Sequence, residues 1–486
     1  MIYNIKPIKT ILVVMITFLI VACDTDGPTD PNDPKFDDIT GQETVDDNDS
    51  NGEEVVIKAN ADVTLSVDAT DGVDINPEIF GVNNDWRRVP QTTFTAFYEL
   101  LENVNYELVR FPGGWESEFY DWDANRTPTW NSRPTLPGAS MEDVKGKTNK
   151  YSVVIPTADA MNRVMNSTQW NRAMDALKVS AEKAIIKSNI GDGIVEIGNE
   201  WWLQRAGGVS RAQKLDKYVN IAMNLAEFIN TKFPNRTFKL LINGDYTVPS
   251  EFTSMKDKFT KAYDQIDGVA LHTYVGYQSS THNMADLEQR IKDCANNFNP
   301  QKKYIYLSEW MPSRDYNDSA LYMEAANIIP DIIQIYARAG ADAGAYWPPV
   351  NTPVPGLGIT NWNYSLIYPV GQIFADLSTD YKGKALKTSS NRFHLAAAQH
   401  SSETMVLYIT GGNEESKKVA VKINGFTVSD IVSVERFVPN DYSETGKAAA
   451  YKTEVATAQI SSDNEVFFDI NKEGKYQIYK IVVRGD

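Results

Sequence analysis

Between residues 79 and 377, two patterns of hydrophobic positions alternate along the chain. Short apolar runs rich in Val, Ile and aromatic residues alternate with longer stretches in which apolar side chains recur three or four positions apart. The first pattern is typical of buried strands and the second of amphipathic helices. We therefore expect strands at IFGVN (79–83), ELVRF (107–111), YSVVIP (151–156), IVEIGN (194–199), KLLING (239–244), GVALHTY (268–274), YIYLSE (304–309) and AGAYW (343–347). Eight strand–helix units predict an α/β fold, a (β/α)8 TIM barrel, which typically takes about 250 residues.

The alternation changes after residue 377. Runs such as TMVLYIT, KVAVKI and EVFFDI follow one another without a convincing helix between them, which predicts a C-terminal antiparallel β-sandwich over residues 378–486. The segment 56–78, which precedes the barrel, also has strand character, and we expect it to join that sandwich.

The N-terminus has the pattern of a secretory signal. Two lysines are followed by an apolar run from Ile11 to Val21 and by Ala22 and Cys23. The ending IVAC resembles the signal of bacterial lipoproteins, in which Cys23 becomes the lipid-bearing first residue. That resemblance assigns residues 1–23 to a signal peptide and implies a lipid-anchored protein of the bacterial cell envelope that faces outside the cytoplasm, at the outer membrane or cell surface. A transmembrane anchor is the alternative, but the run is shorter than the ~20 residues of a span.

Charge and cysteine content narrow the range of partners. Residues 24–55 hold twelve acidic residues and one Lys, which predicts a disordered linker. The signal carries +2 and the linker −11 of the net charge of −17, so residues 56–486 carry −8. Basic runs with interleaved aromatics are missing, so we expect no nucleic-acid partner, and membrane contact only through the lipid.

Cys294 has no second cysteine to pair with once Cys23 is lipidated, and the four histidines show no ligand spacing. We therefore expect a monomer without metal or cofactor.

Two carboxylates stand at strand ends. Glu200 and Glu309 follow the fourth and seventh predicted strands, and the C-terminal ends of barrel strands form the active sites of TIM-barrel enzymes. Two carboxyl groups that flank a scissile bond, one as acid and one as nucleophile or base, are what glycoside hydrolysis requires. Strict alternation does not aim both Asn199 and Glu200 at one ligand, so we expect the strand to end or bulge there.

The motifs GNE and SEW at these strand ends resemble the signature of clan A glycoside hydrolases. The segments INPEIFGVN and LVRFPGG are similar to family 51 arabinofuranosidases and to the related agarase-like and family 39 groups. The likeness covers about 300 residues. It implies that Glu200 is the general acid/base, that Glu309 is the nucleophile of a retaining reaction, and that Asn199 binds the sugar hydroxyl next to the reacting carbon.

The same resemblance suggests further site residues. Arg110 would lie near Glu309 and orient it, and a structural ion pair is an equal alternative. His272 and Tyr274 share one face of the sixth strand; Tyr274 would donate a hydrogen bond to the nucleophile, and His272 would contact substrate or line the barrel. Glu196 faces the same way as Glu200 but deeper, and we interpret it as buried and structural.

Tryptophans cluster near the predicted strand ends. Aromatic rings pack against the C–H faces of sugars, although any single Trp more often fills core. We expect Trp347 to be the best stacking residue and Trp201 and Trp202 to pack beneath the loops. Further substrate contacts are expected from Trp86, Trp115 and Trp310.

Together these features predict a retaining glycoside hydrolase that acts on an extracellular polysaccharide. The linker and the aromatic residues at the barrel mouth predict an extended glycan and hence endo-action, and the family resemblance implies that this glycan is an agar-type galactan. An exo-acting α-L-arabinofuranosidase is the alternative, because RFPGG and EIGNE fit family 51 whereas YLSEW departs from it. A surface glycan-binding lipoprotein without catalysis is a third possibility, but such proteins usually lose one carboxylate.

Overall fold

The computed structural model describes residues 60–84, 89, 94–124, 138–276, 283–301, 304–313, 322–350, 356–361, 363–390, 393–411, 417–439, 451–470 and 476–486. The predicted signal peptide, acidic linker, lipidated Cys23 and substrate contact Trp86 lie outside these residues. None of the helices in the described part is both long enough and apolar enough to cross a membrane.

Parallel strands close into a barrel of eight within the described residues, so the predicted TIM barrel is confirmed. After a first strand, β1 (Val63–Asp74), the barrel strands are β2 (Val82–Asn83), β3 (Leu108–Phe111), β4 (Lys150–Ile155), β5 (Ile194–Ile197), β6 (Lys239–Gly244), β7 (Gly268–Val275), β8 (Tyr304–Pro312) and β9 (Ala343–Tyr346). The first barrel strand is shorter than predicted because Pro77–Ile79 forms a 3-10 helix. The Asn76 side chain accepts the Glu78 N–H at the start of that helix.

Helices follow the barrel strands in the order that the apolar spacing predicts. They are α1 (Phe94–Leu101), α2 (Met141–Val144), α3 (Ala158–Met161), α4 (Thr168–Ser188), α5 (Arg211–Lys232), α6 (Ser250–Lys258), α7 (Leu287–Phe298), α8 (Tyr322–Ala339) and α9 (Pro369–Asp380). The two longest begin at serine caps: the Ser167 hydroxyl accepts the Trp170 N–H, and Ser210 forms a capping box with Gln213. Their apolar faces join the strands in one large core.

The barrel interior changes character along its axis. A lower layer is apolar and consists of Leu108, Ile194, Leu241, Ala270, Tyr306, Ala343 and Ala345. Side chains two positions further along a strand share its face. The residues two positions beyond the apolar layer form a second layer, which is polar and lies toward the C-terminal strand ends. This polar layer consists of Asn83, Arg110, Glu196, Asn243, His272 and Ser308, all of which are buried. The apolar layer closes the barrel from below, and chemistry is confined to the upper end.

The remaining strands form one ten-stranded sheet in the order β15-β14-β18-β12-β11-β10-β1-β13-β17-β16. Their bounds are β10 (Lys384–Ser389), β11 (His394–Ser401), β12 (Thr404–Thr410), β13 (Lys417–Asn424), β14 (Val428–Pro439), β15 (Tyr451–Val455), β16 (Gln459–Ile460), β17 (Glu465–Ile470) and β18 (Ile478–Gly485). Both halves of the sheet contribute to a second hydrophobic core, so the sheet curls over on itself.

The predicted antiparallel sheet domain is present, with one difference in pairing. β1 pairs antiparallel with β10 but parallel with β13, and it therefore lies inside the sheet. Strand β10, KALKTS, is not among the strands that the sequence predicts. Buried polar contacts join the sheet to the barrel helices: Gln334 on α8 donates to Leu386 O at 2.5 Å, and Lys480 on β18 lies 3.0 Å from Asp376 on α9.

Candidate active site

The backbone turns sharply where β5 ends. Gly198 has φ +76°, and a Cβ there would lie 2.7 Å from the Thr157 hydroxyl, so only glycine fits. Glu200 has φ +49°, a left-handed conformation that costs a non-glycine residue about 1–2 kcal/mol. The Glu200 N–H donates to Asn243 Oδ1 at 2.7 Å and fixes this turn. Because regular strand geometry has ended, Asn199 and Glu200 both reach the barrel mouth.

Glu309 reaches the barrel interior through a β-bulge in β8. Leu271 pairs with Leu307 across β7 and β8, but the next residue, His272, pairs with Glu309. Ser308 is the extra residue, and its hydroxyl lies 3.1 Å from Glu196 Oε1 inside the barrel. Ser308 and Glu309 therefore both point inward, whereas Trp310 points out. A bulge next to an active site commonly redirects a side chain in this way.

Arg110 connects the polar layer to the mouth. Its Nη1 donates to Glu309 Oε1 at 2.6 Å and to Asn83 Oδ1 at 3.1 Å, and its Nε donates to Glu196 at 2.8 Å. Its Nη2 donates to Asn199 Oδ1 at 2.8 Å. The last contact leaves Asn199 Nδ2 as a buried donor without a hydrogen-bond partner among the described residues. A donor held in this way is available to a ligand.

Tyr274 and His272 complete the surroundings of the two predicted catalytic carboxylates. The Tyr274 hydroxyl donates to Glu309 Oε2, so both oxygens of Glu309 are held. His272 Nδ1 lies 3.1 Å from Glu200 Oε1 and 3.5 Å from Glu309 Oε2. The structure thus brings together Arg110, Asn199, Glu200, His272, Tyr274 and Glu309.

The charges in this cluster balance one another. Burial opposes a charge on His272, but the charge of Glu309 and the nearby carboxylates of Glu196 and Glu200 outweigh it and raise the pKa of His272 to about 10. Burial also opposes the charge on Glu196, but Arg110 outweighs it and lowers the pKa of Glu196. Two cations thus face three carboxyl groups, and a single proton on one carboxyl makes the cluster neutral.

The raised pKa of His272 predicts that the free energy of unfolding falls as pH rises from 6.5 to about 10. In that window the folded state binds the His272 proton and the unfolded state does not, so the stabilisation is complete below 6.5 and is lost through about 10. Urea unfolding across the window measures the slope, and His272→Gln should flatten it. Burial raises the pKa of Glu118 to about 7, which gives a slope of the same sign at the lower end. Parallel curves for the two proteins would contradict a charged His272.

Glu200, His272 and Glu309 have the spacing of a cation site. One potential ligand atom of each lies within 4.8 Å of the others. The guanidinium of Arg110, 2.6 Å from Glu309 Oε1, opposes a further positive charge at this position. The donor set therefore fits proton handling better than metal binding.

The tryptophans near the strand ends include two predicted substrate contacts, Trp347 and Trp115, and the two that were expected beneath the loops, Trp201 and Trp202. Trp347 is partly exposed, and its ring lies directly over Gly114, where a Cβ would approach it to 2.2 Å. Trp115 is also partly exposed, and Trp202 is half-buried with its ring edge-on to His272 at 6.0 Å. Trp201 is buried and stacks on Tyr218 at 5.6 Å. Trp347, Trp115 and Trp202 thus remain open to a ligand.

The predicted substrate contact through Trp310 is wrong. The side chain is fully buried, stacks on Phe374 of α9 at 6.1 Å and meets Tyr346 edge-on at 4.9 Å. The bulge at Ser308 turns it toward the helices, and it packs in the core between barrel and helices.

Sequence reasoning missed several residues that build the site. Asn83 accepts from Arg110, and Asn243 binds both the Glu200 N–H and, at 2.8 Å, Glu196. Both asparagines end apolar runs, at FGVN and LLING, and a polar residue at a strand end is the signal that identified Glu200. Glu118, which accepts backbone N–H groups from two loops at the barrel mouth, had no comparable signal.

Comparison with solved structures shows the fold. An α-L-arabinofuranosidase from Thermotoga maritima, in complex with arabinose, matches 87% of this chain and 100% of its own with 14% identity and a TM-score of 0.60. A family 51 α-L-arabinofuranosidase from Bifidobacterium longum matches 87% and 99% with 11% identity and a TM-score of 0.61. A family 44 xyloglucanase from Paenibacillus polymyxa, solved with xyloglucan, matches 87% and 99% with 11% identity and a TM-score of 0.54. The second and third of these neighbours are assigned to glycoside hydrolase families 51 and 44. Neither a family model nor a curated protein sequence matches the chain.

Proposed function

We propose that this protein is a retaining glycoside hydrolase that cleaves O-glycosidic bonds of an extracellular polysaccharide. The observation that carries the proposal is the approach of Glu200 and Glu309, with one oxygen of each within 4.8 Å of the other at the barrel mouth. Retaining enzymes place their carboxyl groups about 5–5.5 Å apart, whereas inverting enzymes leave about 6.5–9.5 Å for a water molecule. The fold neighbours, which include glycoside hydrolases of families 51 and 44, support the same reading.

In the first step Glu309 Oε attacks the anomeric carbon while Glu200 gives its proton to the departing glycosidic oxygen. The new bond is an ester between Glu309 and the sugar, and the bond that breaks is the glycosidic C–O bond. Arg110 and Tyr274 hold the two Glu309 oxygens, so the nucleophile is oriented before substrate arrives. Glu200 gains a negative charge as Glu309 becomes a neutral ester, so the net charge of the cluster does not change in this step, and His272, 3.1 Å from Glu200 Oε1, stabilises the new charge.

In the second step Glu200, now ionised, removes a proton from water, which attacks the same carbon and releases Glu309. Asn199 Nδ2 is a buried donor without a hydrogen-bond partner among the described residues, and it would bind the hydroxyl next to the reacting carbon. Trp347, Trp115 and Trp202 would supply the aromatic surface on which a sugar ring packs.

The substrate we propose first is an agar-type galactan, cleaved internally, on the basis of the sequence resemblance to agarase-like enzymes. The second candidate is an exo-acting α-L-arabinofuranosidase, and the specific observation in its favour is the fold likeness to two α-L-arabinofuranosidases. Digestion of a panel of polysaccharides and aryl glycosides, with product sizing, separates the two. Galactan oligomers support the first, and release of arabinose alone supports the second. A protein that binds glycans and is inert on every substrate would be the non-catalytic binder instead.

Gly114→Ala should weaken substrate binding through Trp347. The new methyl group would lie 2.2 Å from the indole, so the ring must shift from its place at the mouth. An aromatic contact of about 0.5–1.5 kcal/mol corresponds to a rise in KM of roughly two- to tenfold, with a smaller change in kcat. Steady-state kinetics on the best substrate of the panel measures both.

Gly146→Ala is the matched control for this change. Gly146 also has positive φ, +82°, but nothing lies within 4 Å of its added Cβ. Both variants place an alanine at positive φ, and only Gly114→Ala adds a contact with Trp347. Equal KM values in the two variants would remove Trp347 from the binding site.

We further propose that Cys23 is lipidated and that the protein acts as a monomer at the bacterial cell envelope, facing outside the cytoplasm. Supporting features are the IVAC ending and the acidic segment that follows it. Radiolabelled palmitate should enter the wild-type protein and not Cys23→Ser, and light scattering of the soluble part should give the monomer mass. Unlabelled wild-type protein would exclude the anchor.

A further inference from the structure

Glu118 is a buried carboxylate that the proposed mechanism does not use. It lies in the 3-10 helix Trp115–Phe119 that follows β3, and its relative exposure is 2%. Within the described part of the chain it forms no ion pair, since all its polar partners there are neutral. A buried carboxylate without a cation is costly unless several donors compensate it.

The donors come from two other loops at the barrel mouth. Glu118 Oε2 accepts the N–H groups of Thr157 at 2.5 Å and of Ala158 at 2.7 Å, where the loop after β4 leads into α3. Glu118 Oε1 accepts the Asn199 N–H, in the segment after β5, and the Thr157 hydroxyl at 3.0 Å. One side chain thus ties the loops after β3, β4 and β5 together.

The contact with Asn199 lies immediately before the predicted acid/base residue. Asn243 binds the Glu200 N–H, and Glu118 binds the N–H of the residue before it, so two side chains hold consecutive peptide groups. These peptides belong to the turn with positive φ at Gly198 and Glu200. The β4–β5 ladder ends at Gly198, whose N–H donates to Ile155 O at 2.9 Å. Beyond this point a left-handed glutamate persists only where its surroundings fix it.

We propose that Glu118 is a positioning residue for Glu200, acting through the backbone of Asn199. It touches neither carboxylate of the reaction. Its role is to keep the Glu200 carboxyl where the glycosidic oxygen arrives, and the inference therefore rests on the proposed function. Displacement of a catalytic group by about 1 Å costs as much as 100-fold in rate.

Glu118→Gln tests this contact selectively. A glutamine has one acceptor oxygen, and placing it where Oε2 stands keeps the N–H contacts of both Thr157 and Ala158. The amide NH2 then faces the Asn199 N–H, donor against donor, and that bond is lost. The opposite orientation would keep the hydrogen bond from the Asn199 N–H but lose those from the Thr157 and Ala158 N–H groups. The Asn199 contact is therefore the one that breaks.

The measurement is kcat/KM on two aryl glycosides of the sugar that wild type accepts, one with a dinitrophenyl and one with an unsubstituted phenyl leaving group. A dinitrophenolate departs without a proton, whereas phenolate needs general acid help, which contributes about 10²–10⁴-fold. We expect Glu118→Gln to lose about 10- to 100-fold on the phenyl glycoside and less than about threefold on the dinitrophenyl one. The assays are run at pH values above about 7, because burial raises the pKa of Glu118 to about 7 and the contacts are those of the carboxylate.

Thr157→Val is the matched control. It removes the hydroxyl that donates to the same carboxylate but leaves the Asn199 contact in place. We expect similar small losses on both glycosides and a lower unfolding midpoint. If Glu118→Gln does not fold, Glu118→Asp serves in its place, because the shorter side chain withdraws the carboxylate from Asn199.

The outcomes separate the two hypotheses. A loss that depends on the leaving group in the Glu118 variant and not in Thr157→Val supports the positioning role. Equal losses on both glycosides overturn it and leave the hydrolase intact. A wild type that is inert on every glycoside overturns the proposed function and this inference with it.

Discussion

Glu309→Ala is expected to lose turnover by at least about 10⁴-fold, the order found when a catalytic nucleophile is removed. Without the carboxylate no covalent glycosyl intermediate forms, and Glu200 alone cannot complete the displacement. The protein should still fold, because Arg110 retains Glu196, Asn83 and Asn199 as partners when Glu309 is absent. Circular dichroism and kcat on the best substrate check both parts.

Added azide tests the role of Glu309 as the nucleophile through the stereochemistry of the product. In Glu309→Ala a small anion fits the space of the missing carboxylate and attacks the anomeric carbon directly, so the glycosyl azide should have inverted configuration. Proton NMR of the product reads the anomeric centre. A variant that keeps ordinary hydrolysis, or that yields an azide with retained configuration, would show that Glu309 is not the nucleophile.

Glu200→Ala should have the second largest effect, and one that depends on the substrate. Loss of general acid catalysis lowers kcat/KM by about 10²–10⁴-fold for glycosides with poor leaving groups and far less for activated ones. The backbone preference changes little, because alanine and glutamate are both disfavoured at φ +49°. Rates on a series of aryl glycosides measure the dependence.

Azide should rescue Glu200→Ala with the opposite stereochemistry. Glu309 still forms the glycosyl intermediate, azide then replaces water in the second step, and the product retains the configuration of the substrate. The two variants thus serve as controls for each other. The same configuration from both would mean that the roles of Glu200 and Glu309 have been assigned incorrectly.

Much of the site was predictable because strand ends are visible in the sequence. Glu200, Arg110 and Tyr274 stand where an apolar run finishes, and strand alternation places His272 and Tyr274 on one face. The structure brings these groups together at the mouth of the barrel. The same rule also marks Asn83 and Asn243, whose amides support the charged groups.

The bulge in β8 could not be predicted. Strict alternation in YIYLSEW groups Leu307 with Glu309 and Ser308 with Trp310, which would send Glu309 to the helices and Trp310 into the barrel. One extra residue at Ser308 reverses this order. A bulge depends on pairing with neighbouring strands that are distant in the sequence, so the local pattern carries no trace of it.

Glu118 was missed for a related reason. The segment WESEFYDW has the acidic pattern of a solvated loop, and its donors lie 39 to 81 residues further along the chain. The parallel pairing of β1 with β13 is likewise a long-range contact. The sequence shows the local period of each strand. It does not show which distant residue will pair with that strand or accept its hydrogen bonds.

The position of β1 within the sheet has a consequence for how the protein is synthesised. Its parallel partner lies 356 residues downstream, as the contact between Asp62 and Lys418 shows. β1 leaves the ribosome before its partner strands do. Its core residues Leu65 and Val67 therefore stay exposed to solvent while the whole barrel is translated. Apolar strand edges exposed for that long invite aggregation, so the nascent chain should depend on chaperones until β13 arrives. A chain divided after the barrel would separate β1 from its partners β10 and β13. Neither of the two fragments should then be soluble alone.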